Sequence, residues 1–193
     1  KRQGEPTVIA NLHDVTRQVE LERKLVHDAR HDMLTGLLNR RAFNTAAKAA
    51  TRRADRAGSR LGVMYIDLDG FKAINDSFGH DMGDTVLVET ARRLRLCIRS
   101  GDVLARLGGD EFAILVTLTD GPHPPVEVAD RILRELAEPV PGIPFDVRMG
   151  ASIGIAVRSD EGIELSSLMR DADSAMYEAK AGGRATWRLA DSR

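Results

Sequence analysis

Cysteine is almost absent. Cys97 stands alone, which excludes an internal disulfide framework and any metal site built from several thiolates. A reducing compartment, and so a cytoplasmic location, is the expectation for such a chain. Aromatic residues are scarce as well: one tryptophan, two tyrosines and five phenylalanines among 193 residues cannot supply a row of base-stacking platforms. Neither sign of charge is in excess. With 28 Lys and Arg against 29 Asp and Glu the formal net charge is −1, so no basic field draws the chain to nucleic acid. No apolar run approaches the roughly 20 residues of a membrane span, and the first residues do not read as a secretory signal. Nucleic-acid partners and membrane contact are therefore not expected. What is present is a chain of 42% hydrophobic content, long enough for one α/β domain with a sizeable core and a short extension.

Thr7 to Asp14 reads as a short strand running into a polar break. From Val15 onward Val15, Val19, Val26, Ala29 and Met33 recur at helical spacing with charges between them, giving an amphipathic helix over 16–33. Packing on its own domain and a parallel coiled coil with a second chain explain that stripe equally well. Leu34 to Leu38 is a break, and Asn39 is placed to cap a helix that buries Phe43, Ala46, Ala50, Ala54 and Ala57. Leu61 to Ile66 is a nearly continuous apolar run, the pattern of a strand covered on both faces. A polar stretch from Asn75 to Asp84 precedes a helix with Leu87, Ala91, Leu94 and Ile98 on one face. Val103 to Leu107 and Glu111 to Leu118 flank Gly108-Gly109 as a β-hairpin. A helix through Val126 and Leu136, a strand within Phe145 to Val157, a long helix from Leu165 to Ala179 and a short edge strand at Ala185 to Trp187 complete the pattern. This order predicts an α/β (α+β) domain, with helices packed on a central mixed β-sheet.

The chemistry gathers at strand ends. Asp67 and Asp69 close the buried apolar run, where an unpaired carboxylate is costly. A solvated strand end or a helix cap is the plain alternative for either alone. Asp110 and Glu111, just past the Gly-Gly turn, add a second acidic pair. If the hairpin lies beside the first strand, three or four carboxylates converge, and divalent Mg²⁺ or Mn²⁺ would relieve their repulsion. Metals held in this way suit phosphoryl or nucleotidyl transfer. Lys72, Lys180 and Arg184 are the natural phosphate partners, although each alone is more often a solvated surface charge. No P-loop sequence is present.

Residues 106–112 read RLGGDEF. With them stand HDMLTGLLNR at 31–40, DLDGFKAIND at 67–76, GHDMGD at 79–84, SIGIA at 152–156 and ADSAMYEAK at 172–180. In this order and spacing the chain resembles the GGDEF family of diguanylate cyclases over about Asp32 to Arg184. That resemblance implies an adenylyl-cyclase-like, polymerase-palm-like (ferredoxin-like) GGDEF fold at 34–189, followed by a tail at 190–193. It implies a homodimer with one GTP per subunit that joins two GTP into cyclic di-GMP and releases pyrophosphate. By the same resemblance Asp67 would bind metal through its carboxylate and Leu68 through its carbonyl. Asp110 would be the other metal ligand and the acceptor of the 3′-hydroxyl proton, with Glu111 assisting; which acid does the proton work stays open. Asn75 and Asp84 match the guanine-reading pair, for which a loop asparagine and a helix N-cap are the bland alternatives. His80 lies in the same nucleotide-contacting loop, Gly108 and Gly109 allow close approach, and Lys72, Lys180 and Arg184 would hold the triphosphate. Arg99 and Asp102 match the family's inhibitory RxxD site for cyclic di-GMP; the alternative is a helix-end arginine beside a turn aspartate.

Residues 1–15 resemble the tail of a PAS-like sensor domain, which would feed the helix at 16–33. One departure is visible: Ala185 follows Arg184 where the family usually has asparagine. A regulatory domain that only binds nucleotide, a cyclase joining GTP to ATP and a nucleic-acid polymerase are the rival readings. Intact acids and glycines, Asp84, and the near-neutral charge argue against them in turn.

Overall fold

The computed structural model describes residues 21, 24–118, 125–141, 148–158 and 164–191. The opening strand and most of the first helix expected from the sequence lie outside these residues. The chain is helical at 24–28 and turns at 29–30, so Met33, expected on the apolar stripe of that helix, lies past its end and is exposed.

The first half of the domain runs α1 (Arg40–Ala57), β1 (Arg60–Asp69), α2 (Phe71–Phe78), α3 (His80–Leu96) and β2 (Val103–Gly108). The second half runs β3 (Glu111–Leu118), α4 (Pro125–Ala137), β4 (Gly150–Arg158), α5 (Leu165–Ala181) and β5 (Thr186–Leu189). The strands form one mixed sheet in the order β2-β3-β1-β4-β5, antiparallel except for the β4–β5 pair. Central β1 is buried from Leu61 through Leu68, as its apolar run predicts. Met64, Ile66, Phe112 and Ile114 face a core completed by Leu94 of α3 and Ile132 of α4. Val63, Tyr65 and Leu115 face the other core, with Phe43 of α1 and Leu168 and Met176 of α5.

Asn39 caps α1, its side chain accepting from the Ala42 amide and satisfying one of the orphan donors of the first turn. The buried face of α1 is Ala42, Phe43, Ala47, Ala50 and Ala54; Ala46 is only half-buried and Ala57 is exposed. A run of alanines cannot set a helix face by itself. Phe43 sets it, drawing in the residues four, seven and eleven positions on. The stretch expected to be a polar break at 75–84 is mostly helical: α2 ends at Phe78, Gly79 (φ +85°) turns the chain, and α3 starts at His80. With only eight residues and none fully buried, α2 leaves almost no periodicity to read. Ile98, expected on the α3 face, lies beyond the helix end and is half-buried.

Gly154 fixes how closely α5 approaches the sheet. A Cβ there would collide with the Ala172 carbonyl and the Met176 amide of α5, both backbone atoms with no rotamer to yield. Gly154→Ala is expected to push α5 outward and cost about 1–3 kcal/mol of stability. Denaturant unfolding of the variant beside the natural chain checks this.

Candidate active site

The buried strand surfaces at Asp67, Leu68 and Asp69, and the register sets Asp67 opposite Glu111 on β3 and Ser152 on β4. The hairpin beside it turns through Gly108 and Gly109, whose φ values of +145° and +53° would strain any residue with a Cβ. This turn carries Asp110 to the strand end, where the Leu68 amide donates to the Asp110 carbonyl at 3.3 Å. A cleft of about 430 Å³ opens there. Asp67, Asp69, Asp76 and Asp110 give it four carboxylates, and Lys72, Lys180 and Arg184 give it three cations.

The expected convergence of acids is therefore present, with a change of membership. Asp76 was not singled out in the sequence, although its place four residues after Lys72 puts both on one helical face. Glu111 does not line the cleft; Arg40 of α1 holds its Oε2 at 3.0 Å. Arg40 also donates to the Leu107 carbonyl at 3.1 Å, and its charge opposes the rise that burial gives the Tyr65 hydroxyl. Asp69 has a structural task, accepting from the Ser152 hydroxyl at 2.7 Å and from the Ala185 amide at 2.8 Å. That second bond secures a left-handed turn at Arg184 and Ala185 (φ +64° and +47°), which sets Arg184 at the cleft. Asparagine tolerates this conformation better than alanine, so the Ala185 departure carries a small backbone cost.

Asp67 is 7% exposed and pairs with Lys180 Nζ at 2.7 Å. Burial pushes its carboxyl above the usual carboxylate range; Lys180 opposes the shift, while the charges of Asp110 and Glu111 reinforce it. The side chain of Asp110 has no hydrogen-bond or ion-pair partner among the described residues. These oxygens fit Mg²⁺ or Mn²⁺. Two carboxylates and the Leu68 carbonyl are hard donors in one cleft, and such ions complete their shell with substrate phosphates and water. Among the described residues no three acid, histidine or cysteine side chains form a closed cage.

A second network holds the hairpin turn. Arg106 donates to the Gly109 carbonyl at 2.9 Å and to both Asp32 carboxylate oxygens at 3.0 and 3.2 Å. Burial works against the Asp32 charge, but the Thr35 hydroxyl and amide together with Arg106 outweigh it and leave that carboxyl below its usual range. Asp32, Arg40 and Arg106 all stand inside the quoted motifs, but no spacing in the sequence pairs them.

The other expected residues lie away from the cleft lining. Asn75 on α2 packs against Gly83, where any Cβ would strike Asn75 Oδ1, and this brings it beside Asp84 on α3. Asn75 Oδ1 is buried with no hydrogen-bond partner among the described residues. Asp84 is in the second turn of α3, not at its cap, and His80 is the exposed first residue of that helix, not part of a loop. Arg99 and Asp102 form a turn of their own. The Arg99 amide donates to Asp102 Oδ2 at 3.0 Å and the Asp102 amide to the Arg99 carbonyl at 3.1 Å. Both residues line a separate cavity of about 370 Å³.

Residues 29–186 match the family described as diguanylate cyclase, GGDEF domain. The chain belongs to the GGDEF diguanylate cyclase family. This GGDEF domain is 44% identical over 95% of its length to an uncharacterized signaling protein of Caulobacter vibrioides, covering 23% of that protein. It is 41% identical over 86% of its length to the diguanylate cyclase TpbB of Pseudomonas aeruginosa, covering 39% of it. The chain thus spans well under half of these relatives. The solved GGDEF domain of TpbB superposes with a TM-score of 0.79 at 41% identity, over 83% of this chain and 94% of that one. The coiled coil and GGDEF domain of DgcB from Caulobacter crescentus, solved with c-di-GMP, gives a TM-score of 0.82 at 29% identity, over 91% and 93%.

The raised Asp67 pKa has a consequence for stability. Its folded value exceeds its unfolded one, so its contribution is fully favourable below the unfolded value and is lost as pH rises through the folded one. Asp67→Asn is expected to unfold at higher temperature than the natural chain at pH 7. The gap should close as pH falls below about 4, where both side chains are neutral. Melting curves across pH measure this.

Proposed function

We propose that this GGDEF domain condenses two GTP molecules into cyclic di-GMP with release of two pyrophosphates, acting as a homodimer with one GTP per subunit. The observation that carries this reading is the free Asp110 carboxylate set beside buried Asp67 in a cleft that also holds Lys72, Lys180 and Arg184. The 3′-hydroxyl of one GTP attacks the α-phosphate of the other; a new P–O bond forms and the bond to pyrophosphate breaks. Asp110 takes the hydroxyl proton. Glu111 is the poorer base for that step, because Arg40 stabilises its charged form. Lys72, Lys180 and Arg184 bind the triphosphate and offset the charge that builds on it. Asp67, Asp110 and the Leu68 carbonyl, with Glu111 close by, would hold Mg²⁺ or Mn²⁺, which would supply further charge neutralisation at the phosphates.

Guanine is read by Asn75 and Asp84, with His80 contacting the nucleotide. An aspartate accepts from guanine N1–H and N2–H₂, which adenine does not offer. Arg99 and Asp102 form the product-inhibitory site, and in the full-length protein residues 1–15 belong to an upstream PAS-like sensor. The reaction places the domain in the cytoplasm, where GTP is available.

Purified protein with GTP and Mg²⁺ should release pyrophosphate and form cyclic di-GMP, with product identified by mass. GTP binding without turnover in a verified dimer would replace the cyclase with a nucleotide receptor. Asp110→Ala should lower turnover by about 10³-fold or more, and full activity in that variant would remove Asp110 from the chemistry. Arg99→Ala should relieve inhibition by added cyclic di-GMP; unchanged inhibition would leave Arg99 as a turn residue only. Excess ATP should yield no mixed dinucleotide.

A further inference from the structure

Asp67 meets the cleft with a cation already on it. Lys180 Nζ stands 2.7 Å from Asp67 Oδ2, and only 7% of Asp67 is exposed, so the ammonium sits on a carboxylate with little other open surface. The other two cations of the cleft are placed differently. Lys72 and Arg184 are exposed and form no ion pair with any described residue. Asp110, the second carboxylate that fits a divalent ion, has no partner among the described residues either. One arm of the candidate metal site is therefore open and the other is engaged. The group that engages it is one that the proposed reaction needs elsewhere, on the triphosphate.

An ammonium and a divalent ion on one buried carboxylate repel each other where little water screens them. Lys180 is built to yield. Its charge rides on a flexible four-carbon stem, its side chain is 33% exposed, and its place in the last turn of α5 favours a cation whether or not Asp67 holds it. We infer that Lys180 is an exchangeable placeholder at the metal site: it holds Asp67 in the resting domain, yields that carboxylate to a divalent ion, and moves to the phosphates of the nucleotide. The inference rests on the proposed reaction, in which Asp67 helps to hold the ion and Lys180 binds the triphosphate. The exchange couples the two ligands. A divalent ion alone must drive off an ammonium that has no other anion to receive it. A triphosphate alone must draw Lys180 away and leave the buried Asp67 charge bare. Each ligand therefore eases the binding of the other, and the cleft discriminates against free metal ions and metal-free nucleotide alike.

Mn²⁺ added stepwise to the nucleotide-free chain, with the unbound ion read by electron paramagnetic resonance, tests the exchange without any turnover. Lys180→Met is expected to bind Mn²⁺ about tenfold or more tightly than the natural chain. Lys72→Met and Arg184→Met each remove the same unit charge from the same cleft but leave Asp67 held. They should change Mn²⁺ affinity by about threefold or less. Adding Asp67→Asn to Lys180→Met should abolish the gain, because the oxygen that Lys180 released is then no longer a charged ligand.

The placeholder is refuted if Lys180→Met binds Mn²⁺ no more tightly than the natural chain, if all three charge-removing variants gain alike, or if the gain survives Asp67→Asn. Any of these results in a chain that still makes cyclic di-GMP leaves the cyclase reading standing. If the affinities follow the expected order but the natural chain makes no product, the cyclase reading fails and the placeholder stands. If no variant binds Mn²⁺, with or without a non-hydrolysable GTP analogue, both fail. Should Lys180→Met not fold, Lys180→Gln replaces it, keeping a hydrogen-bond donor to Asp67 and losing the charge: tighter Mn²⁺ binding supports the exchange and unchanged binding refutes it.

Discussion

A carboxylate at the end of a strand buried on both faces is the constraint around which this domain is organised. β1 can lie at the centre of the sheet because Leu61 through Leu68 bury an almost wholly apolar run, and Asp67 is carried into that burial with them. Isolated, such a charge would be costly. Lys180 meets it from α5, and α5 can come that close because Gly154 has no side chain to hold it off. Removing that contact space would therefore affect the Asp67–Lys180 pair as well as the packing.

The segment just before α1 has a comparable importance for the other half of the cleft. Asp32 engages Arg106, the Leu38 carbonyl accepts from the Arg106 amide at 2.9 Å, and Arg40 engages the Leu107 carbonyl and Glu111. The nine residues 32–40 thus hold the outer side of the hairpin that presents Asp110. They follow the residues that are helical at 24–28 after a turn at 29–30, so a change in the position of that helix would reach the hairpin through few bonds.

Much of this was legible in the sequence, and the limits have physical causes. The apolar run of β1, the Gly-Gly hairpin, the Asn39 cap and the periodicity of α5 are local signals, and each element formed where those signals stood. Convergence of acids followed from strand ends and a turn. The local signals failed where burial was shallow or partners were distant. α2 buries nothing completely, so it read as a polar break, and the alanines of α1 left its face to Phe43. Glu111 sits in the motif that names the family, yet its partner is 71 residues away in the chain and no spacing rule could reveal Arg40. Asp69, at the end of the same strand, lines the cleft as the converging acids suggested and also secures a turn through two hydrogen bonds.

The cost of burying Asp67 also bears on how such a domain can change over time. An uncharged side chain at this strand end would avoid the cost of burying the charge, so loss of the acid is expected to raise stability there and its restoration to lower it. From a working cyclase, drift toward an inert copy that keeps its shape and its nucleotide contacts is downhill, and only selection for turnover holds the charge in place.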